Sequence, residues 1–319
     1  GQLFADRDSP SGWETWNYRL INNTKIQLQH AISGKWVSAV NGGGGALIAD
    51  RDEPSQWETF RMERMNSIKG VNLGSYLIPE KWMVPDVYEG TGADDLFTLC
   101  KNLGPEKALE RMKQHMATFI SRDDFKWLAD HGFNSVRLPI GYWDIEEDTK
   151  YHVYVGGGQP FIEKTLDWAE EFGISVLIDL HGAVGSQNGQ DHSGRKGPID
   201  FDPQATLIVI KKIVQMYGWR KNLIGIELLN EPNVDAIGVE RLKQYYLNAY
   251  QIINSTRPDI MIMFHDGFWP LSYWTDFLRL QNVVVDTHRY QLFTQKEQDM
   301  TLQQHYEETT NEWFPEISS

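Results

Sequence analysis

The sequence has one cysteine, Cys100, so no disulfide can form within the chain. It also lacks any apolar run near the roughly 18 residues that a membrane-spanning helix needs, and we expect no membrane partner. Basic residues are outnumbered, 30 against 44 acidic ones, and the formal net charge is −14. This balance argues against nucleic acid or an anionic membrane as the main partner. The charge balance does not argue against uncharged ligands.

Aromatic residues are plentiful, with 12 Trp and an aromatic share of 12%. Tryptophan faces stack on the apolar faces of ligands such as sugars, but they also fill protein cores, and for any single Trp the core is the favoured interpretation. The chain begins GQLFADRD, which is neither a Met start nor a signal sequence, so we expect a processed or trimmed N-terminus.

The first 65 residues contain an internal repeat. Residues 1–16, GQLFADRDSPSGWETW, return as residues 45–60, GALIADRDEPSQWETF, with eleven of sixteen positions identical at an offset of 44. Short alternating runs between Asn and Gly turn signals predict β-hairpins. A period in the low forties suits a propeller blade or a β-trefoil lobe.

This block, through its stretch GKWVSAVNGGGGALIADRD, resembles the fascin-like β-trefoil repeat. The resemblance implies that residues 1–65 form a partial trefoil module, cut at its start. A sugar-binding or anchoring module and a spacer packed on its neighbour both remain open as its role. Actin bundling is disfavoured, because one partial module cannot cross-link filaments.

From residue 66 to the end, apolar strands alternate with helices. This order predicts a parallel sheet covered by helices, either a (β/α)8 barrel or an open doubly wound sheet. Glycine-rich nucleotide fingerprints do not follow the first strand, so no phosphate-binding loop is expected. The predicted strands are GVNLGSYL (70–77), NSVRLPI (134–140), ISVLIDLHG (174–182), LIGIELLNEPN (223–233), DIMIMFHDG (259–267) and VVVDTHRY (283–290), and the predicted helices are 104–119, 121–132, 161–173, 205–218, 238–253, 270–280 and 301–314.

Polar side chains gather at the carboxyl ends of all six predicted strands. In a barrel those ends converge on one active-site face. A lone histidine is as often a satisfied structural residue, but six successive strands that end this way indicate a site. The side chains are Asn72, Glu80, Arg137, His181, Asn230, Glu231, His265, Asp266, His288 and Tyr290.

Several of these residues stand in signature motifs, and on them the chain from about residue 68 onward resembles glycoside hydrolase family 5. Glu80 and Asp191 narrow the resemblance to the exo-β-1,3-glucanase branch, and a fascin-like module ahead of the barrel resembles its plant-type members. The motifs are VRLPIGYW with Arg137, DLHGAVGSQNG with His181, LNEPN with Asn230 and Glu231, DTHRYQLF with His288 and Tyr290, GVNLGSYL followed by Glu80, and HGAVGSQNGQDHSG with Asp191.

The resemblance implies a (β/α)8 TIM barrel and retaining hydrolysis of β-glucosidic bonds, most simply exo action on β-1,3-glucan or its oligosaccharides, with no cofactor. In that mechanism one carboxylic acid protonates the leaving oxygen, and a second carboxylate, about 5–5.5 Å away, attacks the sugar. Glu231 matches the acid/base. We expect partial burial and a nearby negative nucleophile to raise its pKa.

The resemblance also implies roles for the other motif residues. Asn230 would bond the sugar 2-hydroxyl, Arg137 would hold the nucleophile, and His288 with Tyr290 would flank the cleaved bond. Gln190 stands where close exo-glucanases carry an aromatic residue, so a pair of aromatic side chains clamping the sugar at the pocket entrance is not expected here. The expected glucose-binding residues are His181, Glu80 and Asp191, and the candidate stacking surfaces are Phe293, Trp82, Trp143 and Trp269.

The family's nucleophile follows a seventh strand, whereas six strands are predicted here. Glu312 sits beside Trp313 in LQQHYEETTNEWF, a polar, helix-like run without an apolar strand before it. We therefore expect the nucleophile beyond Ser319, in a chain cut at both ends, and no glycoside turnover by residues 1–319 alone.

Two rival classes remain open, a catalytically inactive carbohydrate-binding protein on the same fold and an interaction protein that uses its first module as an anchor. The histidines are scattered singly over several strands, so no metal requirement is expected. We expect a location outside the cell or in the cell wall.

Overall fold

A computed structural model describes residues 16–22, 25–30, 35–39, 47–53, 59–61 and 68–313. The chain divides into two compact units, Gly1–Ile68 and Lys69–Ser319.

The first unit contains an antiparallel sheet. Its strands run in the order β1-β2-β3-β4, and β5 pairs with β2. The predicted hairpin strands are confirmed here, and the second copy of the repeat contributes β4 and β5. Residues 1–15 of the first copy lie outside the described residues, so the trefoil stays a prediction. The strands are β1 (Trp16–Asn22), β2 (Lys25–His30), β3 (Trp36–Ala39), β4 (Leu47–Arg51) and β5 (Thr59–Arg61).

The second unit contains a parallel sheet of six described strands that follow one another in chain order. A doubly wound sheet reverses its strand order at a switch point, and the described strands show no such reversal. The sheet therefore fits part of the wall of a (β/α)8 barrel. Its strands are β6 (Gly70–Asn72), β7 (Ser135–Gly141), β8 (Ser175–Gly182), β9 (Leu223–Glu227), β10 (Met261–His265) and β11 (Val283–Asp286).

Helices connect these strands and confirm most of the predicted ones. The N-cap predicted at Ser121 is present, because its main-chain N–H and its hydroxyl both donate to Asp124 at 2.8 Å. The helices are α1 (Pro85–Tyr88), α2 (Leu96–Leu103), α3 (Pro105–Phe119), α4 (Arg122–Asp130), α5 (Gln159–Glu171), α6 (Pro203–Tyr217), α7 (Val234–Ile237), α8 (Val239–Asn254), α9 (Thr275–Leu278), α10 (Gln295–Gln298) and α11 (Leu302–Glu308).

The sequence prediction was wrong in two helices and at several strand ends. Strand β6 ends at Asn72 rather than at residue 77, and β11 ends at Asp286 rather than at residue 290. The helix predicted over 270–280 is a 3₁₀ turn, Leu271–Trp274, followed by the single turn of α9. The helix predicted over 301–314 ends at Glu308 and continues as a wider π turn, Thr309–Trp313. Strand β9 stops at Glu227, so the following Asn230 and Glu231 stand on a loop above the sheet.

Candidate active site

A pocket of about 220 Å³ opens at the carboxyl ends of the parallel strands. We call it the central pocket. It brings together nine of the predicted site residues, which come from distant parts of the sequence, and this is the face on which barrel enzymes carry their active sites. Its lining consists of Asn72, Gly74, Ser75, Ile78, Glu80, Trp82, Arg137, Pro139, His181, His192, Asn230, Glu231, His288 and Tyr290.

The carboxylate of Glu231 is held by donors from three sides. His288 bonds Glu231 Oε1 through Nδ1, and the Tyr290 hydroxyl donates to the same oxygen at 3.2 Å. His192 Nε2 lies 3.3 Å from Oε2. The second ring nitrogen of His288 lies 3.2 Å from Asp286 Oδ2. His288 therefore bridges two carboxylates, which favours its charged form.

The prediction of a raised pKa at Glu231 is wrong for this arrangement. Burial by itself would raise the pKa of Glu231, but the hydrogen bond from His288 and the charges of His192 and His288 lower it to about 2. Burial lowers the pKa of His288, and its bonds to Asp286 and Glu231 outweigh burial and raise it to about 10. Within the described residues, Glu80 is the other carboxylate that lines the pocket. The imidazolium of His288 therefore keeps Glu231 in its carboxylate form.

Arg137 is bound to two buried carboxylates beneath the pocket. Its Nε and Nη2 donate to the two oxygens of Glu227 at 2.7 and 2.9 Å, and Nη2 also lies 3.0 Å from Asp179 Oδ2. Burial raises the pKa of both carboxyls, against the attraction of Arg137. Repulsion from Asp179 adds to the shift at Glu227, and repulsion from Asp286 adds to the shift at Asp179. The predicted role of Arg137 toward a nucleophile stays a prediction.

Asn230 is oriented by its neighbours. Its Oδ1 accepts a hydrogen bond from Arg137 Nη2 at 2.9 Å, so its amide nitrogen faces the other way, 3.5 Å from His181 Nε2 and 3.4 Å from His192 Nδ1. His181 Nδ1 donates to Asp179 Oδ2 at 2.6 Å. Burial lowers the pKa of His181 and of His192. Burial therefore disfavours the charged form of both imidazoles, and the amide group of Asn230 has one fixed orientation.

Glu80 lines the central pocket beside Trp82. Its Oε2 accepts a hydrogen bond from the indole of Trp82 at 2.9 Å, and its main-chain N–H donates to the hydroxyl of Ser75 at 3.2 Å. Burial raises the pKa of Glu80, and the Trp82 bond opposes this shift. Trp82 is 74% exposed at the rim. An acceptor beside an exposed indole suits a hydroxylated ring with one apolar face.

A second cavity, of about 330 Å³, shares Glu231 with the central pocket. We call it the outer pocket. Phe268 and Trp269 give it an aromatic side, and Asn188, Gln190 and Asp235 contribute polar groups. Glu231 therefore stands between two cavities, which is where an acid that protonates a bridging oxygen has to stand.

Some predicted residues lie outside the lining of the central pocket: Trp269 lines the outer pocket, and Trp143, Asp191, His265, Asp266 and Phe293 line neither. The stacking role of Trp143 is wrong, because this ring is 4% exposed and stacks on Tyr154 with centroids 4.0 Å apart. Asp191 sits on the 3₁₀ turn Asp191–Ser193, and its neighbour His192 reaches the pocket instead. Phe293 is 70% exposed and packs edge-on against Tyr290.

Four residues that the sequence analysis missed support the site. Glu227 and Asp179 bind Arg137, Asp286 binds His288, and His192 faces Glu231. One signal could have found three of them, since a carboxylate within an apolar strand requires a buried cation or donor nearby. His192 has no such signal, because it lies on an irregular loop.

Within the described residues, Glu80 and Glu231 are the carboxylates that line the central pocket. Glu312 lies on the exposed turn Thr309–Trp313 and lines neither of the two pockets. The prediction that the nucleophile is another residue therefore stays open.

Glu231, His265 and His288 place ligand atoms within 4.8 Å of one another, a spacing that could hold a metal ion. His265 Nδ1 accepts a hydrogen bond from the main-chain N–H of Gly267 at 2.8 Å, and His288 is engaged by two carboxylates. A metal would have to displace these bonds. The absence of a metal requirement remains a prediction.

No helix in the described ranges combines the length and apolar character of a membrane span.

Family models match both parts of the chain. Residues 101–317 match the model of cellulase (glycosyl hydrolase family 5), and residues 17–70 match that of a domain of unknown function, DUF7910. The second match does not test the resemblance to a fascin-like trefoil.

Curated relatives and a solved structure are similar to this chain. A probable glucan 1,3-beta-glucosidase A of Aspergillus niger is 37% identical over 245 residues, covering 75% of this chain, and a sporulation-specific glucan 1,3-beta-glucosidase of Saccharomyces cerevisiae is 39% identical over 254 residues, covering 72%. The chain spans 59% and 57% of the lengths of these two relatives. The crystal structure of rutinosidase from Aspergillus niger superposes with a TM-score of 0.64 at 25% identity, covering 71% of this chain and 70% of that one.

Proposed function

The chain belongs to glycosyl hydrolase family 5, the cellulase family, and from this premise we propose that its protein is a retaining β-glucosidase that releases glucose from the end of β-1,3-glucan or its oligosaccharides. The observation that carries the proposal is Glu231, held by His288 and Tyr290 between the central and outer pockets. The relatives named as glucan 1,3-beta-glucosidases support the substrate class.

In this proposal the terminal glucose lies in the central pocket, where Glu80, His181 and Asn230 bind its hydroxyls. The leaving sugar lies in the outer pocket, with one face on Phe268 or Trp269. Glu231 protonates the oxygen between them and later deprotonates water. A nucleophile outside the described residues attacks from the opposite side, near the Arg137 and Asn230 end of the pocket.

The proton that Glu231 needs is the one that it shares with His288. One proton lies between the two groups, and the described contacts keep it on the imidazole. A negative nucleophile brought close to Glu231 disfavours its carboxylate form and draws this proton to it. The acid role therefore depends on both catalytic carboxylates being in place.

Exo action is favoured by Glu80 and Trp82, which line the central pocket and would bind the terminal glucose. The relatives named as glucan 1,3-beta-glucosidases also favour it. We also propose that residues 1–65 form part of a β-trefoil that binds or anchors to glucan, and that the protein acts outside the cell or in the cell wall.

A catalytically inactive carbohydrate-binding protein is the second candidate. It is favoured by one observation, that in the described part of the chain the central pocket has no carboxylate besides Glu80 to face Glu231. Incubation of the full-length protein with laminari-oligosaccharides separates the two. Glucose as the first product supports the enzyme, a ladder of oligomers contradicts exo action, and binding without any product favours the second candidate.

A further inference from the structure

Two buried amides, Gln187 and Asn188, stand behind the site in the loop between β8 and α6. The exposed fraction is 0% for Gln187 and 7% for Asn188. Asn188 also lines the outer pocket, whereas Gln187 lines neither pocket. The chemistry proposed above assigns no catalytic role to either side chain. Burying an amide is costly unless its hydrogen bonds are made, so the partners of these two side chains indicate what the positions require.

Gln187 ties the ends of two strands together. Its Nε2 donates to the main-chain oxygens of His181 at 2.7 Å and Asn230 at 2.9 Å, and its Oε1 accepts from the N–H of Ala183 at 3.1 Å. Its own main-chain oxygen accepts from Asn233 at 3.0 Å. Both donors of the side chain thus hold residues that line the central pocket.

Asn188 fixes the backbone of Glu231. Its Nδ2 donates to the main-chain oxygen of Glu231 at 3.0 Å, and its Oδ1 accepts from the N–H of Gln190 at 3.0 Å. Glu231 has a φ of 42°, in the left-handed region that costs a non-glycine residue about 1–2 kcal/mol. A bond to its carbonyl oxygen stabilises this unfavourable conformation and sets the direction of its side chain.

The loop that carries the two amides is itself anchored. The hydroxyls of Ser186 and Ser193 lie 2.7 Å apart, and the N–H of Gly189 donates to Ser186 at 2.9 Å. A Cβ at Gly189 would come within 2.4 Å of the main-chain oxygen of Gly197. The amides are therefore held independently of Glu231, as a positioning device requires.

We propose that Gln187 and Asn188 are positioning residues that hold Asn230 and Glu231 in register with the bond to be cleaved. The inference rests on the proposed β-glucosidase function. A positioning role of the two amides differs from a purely structural role of the loop in its effect on different substrates. A misplaced acid slows the protonation of poor leaving groups, whereas a loosened loop weakens the fold and affects every substrate alike.

The test uses Asn188→Asp in the full-length protein. This change keeps the shape and the acceptor for Gln190 but replaces the donor to Glu231 by an oxygen. We expect kcat on laminaribiose to fall by about 10- to 100-fold, the range that a displacement of about 1 Å can cause, with a much smaller loss on an aryl β-glucoside with an activated leaving group. Gln187→Glu should show the same split, since it removes the donors to His181 and Asn230.

Asn222→Asp is the matched control. Asn222 donates to the main-chain oxygen of Leu166 at 2.8 Å, just before the start of β9 and far along the strand from Asn230. We expect it to lower the thermal midpoint without separating the two substrates. If Gln187→Glu does not fold, Gln187→Met, which keeps the length without a charge, takes its place.

Equal losses on both substrates, or behaviour like that of the Asn222 control, would overturn the inference while the wild-type activity leaves the proposed function intact. A wild-type protein that cleaves neither substrate would instead contradict the proposed function itself. Full activity of both Asn188→Asp and the Gln187 variant on laminaribiose would also overturn the inference.

Discussion

Arg137 and Glu227 form a two-pronged ion pair beneath the central pocket, with N–O distances of 2.7 and 2.9 Å. Glu227 lies beside Asp179 in the register of β8 and β9, and both carboxylates are fully buried. One guanidinium therefore compensates two buried acids and at the same time orients Asn230. Removing one partner of such a group leaves charge that nothing balances.

The first prediction concerns the removal of this cation. Arg137→Met should lower the free energy of unfolding by about 3–5 kcal/mol, the usual cost of breaking a buried ion pair. Without the guanidinium the pKa values of Glu227 and Asp179 rise further. At low pH both carboxyls are then protonated, and the folded state no longer contains uncompensated buried charge. The loss, measured by urea unfolding, should be larger at pH 8.5 than at pH 5.

Arg122→Met is the control for this prediction. Arg122 forms a similar two-pronged pair with Glu171, but both side chains are about half exposed. Exposed pairs contribute little to stability. Equal losses for the two variants would show that burial of the Arg137 group carries no special cost.

The second prediction concerns His288 and pH. The folded pKa of His288 is raised to about 10, so its contribution to stability is complete below its unfolded pKa of about 6.5 and fades as the pH rises toward 10. The folded pKa of Glu231 is lowered to about 2, so its contribution is complete above about 4.3 and fades as the pH falls toward 2.

The difference in unfolding free energy between the wild type and His288→Gln should therefore be greatest between about pH 4.5 and 6.5 and smaller on either side. Urea unfolding at several pH values measures it. The same replacement at the exposed His152 is the control. A difference that grows steadily from pH 6.5 to 10 would refute the bridging role of His288.

The third prediction concerns the acid role. Glu231→Gln in the full-length protein should lower kcat on natural glucosides by about 10²–10⁴-fold, the usual contribution of general acid catalysis. The loss should be much smaller on substrates whose leaving group needs no proton. Glu312→Gln, on the exposed terminal turn, should leave both rates unchanged. Equal losses on both substrate types would remove Glu231 from this role.

The fourth prediction concerns metals. Glu231, His265 and His288 are close enough to hold an ion, but an ion would have to replace a proton that His288 binds up to a pKa of about 10. Treatment of the full-length protein with a chelator should leave glucose release unchanged. Activity that is lost on chelation and restored by one added metal would make these residues a metal site.

The sequence predicted the parallel sheet because apolar strands such as ISVLIDLHG and helices such as 104–119 have clear periods. It also predicted which strand-end residues gather, since parallel strands end on one face. Nine predicted residues, from Asn72 to Tyr290, line one pocket.

The rest depended on contacts that the sequence does not encode locally. Trp143 follows a strand end as a ligand-binding Trp would, but it packs on Tyr154 in a space left by glycines, including Gly182. The charge on Glu231 is set by His288, 57 residues away. No pattern around Glu231 indicates that this particular imidazole, bound by Asp286 on its other side, would lower its pKa.

The product that the Glu231→Ala variant forms in azide tests directly whether Glu231 is the acid/base. An activated aryl β-glucoside can still form the covalent glycosyl intermediate without the acid, and azide can then enter the space that the carboxylate leaves and attack from that side. We expect a faster turnover in azide and β-glucosyl azide as the product, identified by the NMR coupling of its anomeric proton. An α-glucosyl azide, which would make Glu231 the nucleophile, or no response to azide would contradict this expectation.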